Sequence, residues 1–169
     1  MTKRRISPPR PARGEASAPR SVRPEELRLR LRIPSTRAAI QEAVRTVMKA
    51  AAELRCSRSQ RADVEIALRE ALANAVFHGN RGDASKKVSL RCVLSREKGM
   101  VVAVRDEGAG FDPSEVPDPR TADRLFLHHG RGLLLMRGLM DRIEHRLGGR
   151  EVVLYKEPCA RGASGARRR

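Results

Sequence analysis

Aromatic residues are nearly absent from this 169-residue chain, which has no tryptophan, one tyrosine and three phenylalanines. Its core must come from Leu, Val, Ile, Ala and Met, and it lacks aromatic platforms on which single-stranded bases would stack. Cysteine is equally sparse. Cys56, Cys92 and Cys159 are odd in number, far apart and never in Cys-x-x-Cys spacing. That excludes a disulfide framework and a thiolate zinc site, and it fits a reducing cytoplasm. No apolar run approaches the roughly 20 residues that a membrane helix needs. Met1-Thr2-Lys3-Arg4-Arg5 leads into prolines rather than an apolar segment, so no secretory signal is expected. Neither an internal repeat nor the phosphate-binding pattern Gly-x-x-x-x-Gly-Lys-Ser/Thr occurs anywhere.

Positive charge, by contrast, is in excess: the formal net charge is +16. Much of it lies at the two ends. Residues 1–23 carry seven Lys/Arg against Glu15, and residues 160–169 carry four Arg and no acid. Both stretches are rich in Pro, Ala, Gly and Arg and cannot bury enough apolar surface to fold. We therefore expect a basic disordered tail over 1–23, one domain over 24–159, and a second basic tail over 160–169. The tails are either solvated or in contact with an acidic partner or nucleic acid. Arginine outnumbers lysine thirty to six, a bias that a GC-rich coding genome would also produce.

Within the domain, Leu27-Arg28-Leu29-Arg30-Leu31-Arg32-Ile33 alternates apolar and basic residues and predicts a half-buried strand. Pro34-Ser35-Thr36 stops it and offers a helix cap. A helix is expected from about Arg37 to Leu54, with Ile40, Val44, Val47 and Ala51 as its apolar stripe. A second is expected from about Ser59 to Phe77, ended by His78-Gly79-Asn80-Arg81-Gly82. Residues 88–94 and 100–105 read as an antiparallel strand pair. Asp112–Gly130 reads as a proline-punctuated loop, Leu133–Met140 as a short helix around Met136, Leu139 and Met140, and 142–147 with 152–155 as a last strand pair. This order predicts an α+β two-layer sandwich, a mostly antiparallel sheet with helices on one face.

Three patterns carry chemistry. On the second helix, Ile66, Glu70, Ala73, Asn74 and Phe77 share one face. Val64, Leu68, Ala71, Leu72 and Ala75 make a second apolar side, so little of that helix looks suited to water. Asn offers a neutral oxygen to a hard cation and Glu offers a base. The bland alternative for such a pair is a helix-end salt bridge and amide bond. At the end of a strand, Asp106-x-Gly108-x-Gly110 places a carboxylate where it can accept from an exocyclic amine, with glycines that let a flat ring approach. An ordinary Asp/Gly turn would look the same. Gly130-Arg131-Gly132 opens the short helix, whose N–H groups and dipole suit phosphate, and a flexible hinge is the alternative there. His78 could approach the phosphates or simply cap its helix. His128-His129 have no carboxylate or cysteine cluster to support a metal.

Taken in order and spacing, Glu70-Ala71-Leu72-Ala73-Asn74-Ala75, then Asp106-x-Gly108-x-Gly110, then Gly130-x-Gly132-Leu133 resemble the N, G1 and G2 boxes of the GHKL ATPases. Their flanks resemble the anti-sigma-factor serine/threonine kinases, and the resemblance spans about Leu27 to Tyr155. It implies the Bergerat ATP-binding fold, with ATP and Mg2+ as cofactors. It also implies Glu70 as catalytic base, Asn74 as magnesium ligand, Asp106 as reader of the adenine amine, and Gly108 and Gly110 as shapers of the pocket. Gly130, Arg131 and Gly132 then form the lid hinge and phosphate turn, the 112–130 loop becomes an ATP lid, and Arg120, Arg124 or Arg131 is left to reach phosphate. The partners implied are an anti-sigma-factor antagonist, a sigma factor and a second copy in a homodimer. No membrane or nucleic-acid role is expected. A non-catalytic ATP-dependent binding module is the alternative.

Overall fold

The computed structural model describes residues 25–110 and 128–158, apart from the side chains of 128–131. The expected tails and most of the expected lid lie outside those residues. Five strands form one sheet in the order β1 (Glu26–Pro34), β2 (Lys87–Ser95), β3 (Gly99–Arg105), β5 (Glu151–Lys156), β4 (Arg142–Arg146). Every neighbouring pair is antiparallel. Helices α1 (Arg37–Glu53), α2 (Arg58–Ala73) and α3 (His128–Leu139) cover one face.

Alternation decides which strand residues meet the helices. Leu29, Cys92, Val102 and Leu154 lie in one cross-strand row, and Leu31, Leu90 and Val104 in the next. Most of these are fully buried. Against them pack Val44, Val47 and Ala51 of α1, Val64, Leu68 and Leu72 of α2, and Met136 of α3. Burial pushes the Cys92 thiol up to about 12. The helix starts follow local chemistry. Thr36 caps α1 by accepting from the Ala39 N–H, and Ser57 forms a reciprocal capping box with Gln60 on α2.

Three expectations need correction. The second helix is not apolar all round: Ile66 and Phe77 are 43% and 42% exposed, because the sheet and α1 cover only its other side. That helix also does not run regularly to Phe77. At Asn74 it widens into a π-helical segment, Asn74–Gly79, closed by the Asn80 N–H donating to Ala75 O at 2.8 Å. Finally, α3 begins at His128, so Gly130 and Gly132 lie inside it rather than before it.

Candidate active site

The sequence patterns converge where α2, the end of β3 and the start of α3 meet. Glu70 and Asn74 sit one turn apart and half-buried. Neither side chain makes a hydrogen bond or ion pair with another described residue. Helix α3 lies close over them at residue 132: a Cβ at Gly132 would stand 2.8 Å from Glu70 Oε2 and 3.9 Å from Asn74 Nδ2, so a side chain there would displace the Glu70 carboxylate. Lys156 pins the other end of α3. Its Nζ donates to Leu139 O at 2.7 Å and pairs with Asp63 of α2 at 2.9 Å.

Asp106 lies at the other side, buried at the exit of β3. The Gly108 N–H donates to its Oδ1 at 2.8 Å, and its own N–H donates to Arg150 O at 3.0 Å. Burial raises its carboxyl above the usual range. The Gly108 N–H, the carboxylate's interaction with its own backbone N–H, and the Arg150 and Lys86 charges oppose that rise in part. Two glycines permit the packing. A side chain at Gly79 would overlap the Asp106 carboxylate, and one at Gly108 would overlap the Gly79 carbonyl. Gly110, at φ +82°, approaches the Gly148 carbonyl just as closely.

Between these groups opens a cavity of about 330 Å³, within the range of small-molecule sites. Asn74, Ala75, His78 and Gly79 form one wall. Val104, Asp106, Ala109 and Gly110 form a second, and Leu133 with Met136 a third. The end is closed by His145, Gly149, Arg150 and Val152. Of the expected site residues, Asn74, His78, Asp106 and Gly110 therefore line it directly. Gly108 supports Asp106 from behind, while Glu70 and Gly132 meet each other just outside the lining. The side chain of Arg131, and all of Arg120 and Arg124, lie outside the described residues.

Sequence reasoning missed four groups. Arg81, at φ +57°, lines the cavity after the glycine-bearing turn. Arg150 arrives from the β4–β5 turn, for which Gly148-Gly149 was the available signal. His145 comes from β4 with no local sequence signal, and its pKa is lowered by burial and then by Arg137. The fourth is Asn80, fully buried. Its Nδ2 donates to Ser35 Oγ at 2.8 Å and Lys87 O at 3.0 Å, and its Oδ1 accepts from the Glu107 N–H at 2.8 Å. Asn80 thus ties the π-helical segment to the turn that carries Asp106.

The family described as the histidine kinase-like ATPase domain matches residues 33–156. The chain belongs to that family. Among its curated relatives, the Bacillus thuringiensis anti-sigma F factor is 31% identical over 102 residues, 59% of this chain and 68% of that protein. The anti-sigma F factor of Oceanobacillus iheyensis is 29% identical over 84 residues, and the chain spans 57% of its length. The crystal structure of the RsbU and RsbW domains of Rv1364c from Mycobacterium tuberculosis shares the fold. Its TM-score is 0.55 at 22% identity, covering 78% of this chain and 32% of that one. As a histidine kinase-like ATPase domain, the chain has ATP as its implied ligand. Among the described residues no helix is long and apolar enough to cross a membrane, and no group of three or more His, Cys, Asp or Glu is placed to hold a metal by protein ligands alone.

Proposed function

We propose that the chain is a cytoplasmic serine/threonine kinase of the anti-sigma-factor type. It transfers the γ-phosphate of ATP to an anti-sigma-factor antagonist and holds a sigma factor in competition with that antagonist, with a homodimer as the working form. The observation that carries this reading is the side-by-side placement of Glu70 and Asn74 at the rim of a cavity whose far side holds Asp106. A site that only binds nucleotide has no use for a half-buried carboxylate there.

In this reading the Asp106 carboxylate accepts from the adenine amine, and Gly79, Gly108 and Gly110 leave room for the ring. The start of α3 directs N–H groups toward the phosphates. Glu70 takes the proton of the substrate hydroxyl as its oxygen bonds to the γ-phosphorus, and the bond to the bridging oxygen of ADP breaks. The donor set fits magnesium, which keeps several waters and needs only one or two protein oxygens besides phosphate. The Asn74 amide oxygen would hold it. When bound, the ion supplies charge neutralisation on the phosphates.

Glu70 lies just outside the cavity lining, which favours a second reading: a regulatory module that binds partners in an ATP-dependent way without transfer. Glu70→Gln separates the two. As a base, Glu70 should be replaceable by Gln with ATP affinity retained but phosphate incorporation into an antagonist protein reduced by about 10²–10⁴-fold. Asn74→Ala should weaken magnesium-dependent ATP binding as well. If Glu70→Gln transfers phosphate as fast as the parent, the base assignment fails. If the parent transfers none yet binds partners only with ATP, the module reading stands.

A further inference from the structure

The alternating Leu/Arg strand has a second face that the nucleotide site does not use. Leu27, Leu29, Leu31 and Ile33 pack on the core, so Arg28, Arg30 and Arg32 project from the opposite side of the sheet. The register brings Arg91 directly opposite Arg30, and places Arg105 beyond Ser89 in line with Arg32. Arg142 and Arg146 of β4 continue the same face.

Several of these cations have carboxylates. Arg28 pairs with Glu26 at 2.8 Å, Arg32 with Glu107 at 2.9 Å, Arg91 with Glu151 at 2.6 Å, and Arg142 and Arg146 with Glu144. The side chains of Arg30 and Arg105 have no hydrogen bond or ion pair with any described residue. Like charges directly opposite on neighbouring strands destabilise a sheet. Glu151 offsets the Arg91 charge, so Arg30 faces a cation that is already paired and gains no carboxylate of its own among the described residues.

We propose that this outer face of the sheet is a docking surface for an acidic protein, with Arg30 and Arg105 as the unmatched cations that its carboxylates neutralise. Val93, Val101 and Ala103 lie half-buried between the arginines, giving the apolar centre and arginine surround common to protein interfaces. Nucleic acid fits less well. The one aromatic ring on the face, Tyr155, is covered by Arg142 at 3.7 Å, and its hydroxyl accepts from Arg146 at 2.9 Å, so it is not free to stack. Glu26, Glu144 and Glu151 would also repel a continuous phosphate backbone. A second copy fits less well still, since it would set the same arginines against each other. The helical layer carries the ATP cavity on the other side of the sheet, so docking leaves the nucleotide site open and does not depend on the kinase reading.

The test uses the full chain, a short polyglutamate peptide as probe, and a DNA duplex of equal charge as rival, followed by fluorescence anisotropy. Arg30→Ser with Arg105→Ser should weaken peptide binding about tenfold. Lys49→Ser with Arg58→Ser, which removes the same charge from exposed helical positions, should leave it within about twofold. ATP affinity should match the parent in both, and the single Arg30→Ser variant should melt no lower than the parent because no ion pair of the described residues is lost. Equal loss in the two double variants would overturn the proposal, since net charge alone would explain it. So would tighter binding of the duplex that Arg30→Ser with Arg105→Ser abolishes, or a parent dimer that those substitutions dissociate in sedimentation.

Discussion

Asp106 is the residue at which stability and recognition pull apart. Burial favours its protonated form in the folded chain. Its contribution to stability is therefore full below the ordinary carboxyl pKa, and it is lost as pH rises through the raised folded value. Recognition of an amine prefers the ionised form, a stronger acceptor. ATP affinity should thus decline on acidification, beginning above the ordinary carboxyl range. Asp106→Asn should weaken ATP binding by about 1.5–3 kcal/mol at neutral pH, flatten that acid decline and leave the nucleotide-free protein no less stable. Calorimetry across pH with thermal melts of both forms checks all three. An affinity unchanged by the substitution would count against the pocket. Asp106 was legible in the sequence because it stands in a glycine-spaced motif. His145 and Arg150 were not, because only β4 and β5 folding back beside β3 brings them to the cavity.

Among the elements, the strands and α1 were the easiest to read, since period-two and 3.6-period burial leave direct traces. The π-helical segment left none. Widening a helix by one residue at its end barely disturbs the apolar spacing, and its cause is the distant set of acceptors and donors around Asn80. The start of α3 was misplaced for a related reason. Glycines at 130 and 132 argue locally against a helix, yet a side chain at 132 would push the Glu70 carboxylate aside. Asn80→Ala should show how far the nucleotide site depends on this junction. It removes a partner from the Glu107 N–H and from the Lys87 carbonyl, both bonds part-buried, at about 1 kcal/mol for each bond lost. The expected outcome is a lower denaturation midpoint together with weaker ATP binding, as the Asp106 turn loosens. A lower midpoint with unchanged ATP affinity would confine Asn80 to stability.

For the whole molecule, two buried thiols follow from a core built without aromatics. Cys56 and Cys92 are both buried and outside any disulfide, and Cys92 sits mid-row in the sheet, too desolvated to ionise at neutral pH. A thiolate-seeking reagent can reach Cys92 only while the sheet is open. With Cys159 replaced by Ser, the labelling rate becomes a clock for opening of the sheet, read by mass spectrometry on native protein without denaturant. ATP binds the closed form, so nucleotide at about a hundred times its Kd should slow the clock by about a hundredfold. Labelling indifferent to ATP would mean that the strands part without disturbing the cavity. The same buried sulfur that only fills space in the core thereby makes occupancy of a site in the helical layer readable as a reaction rate.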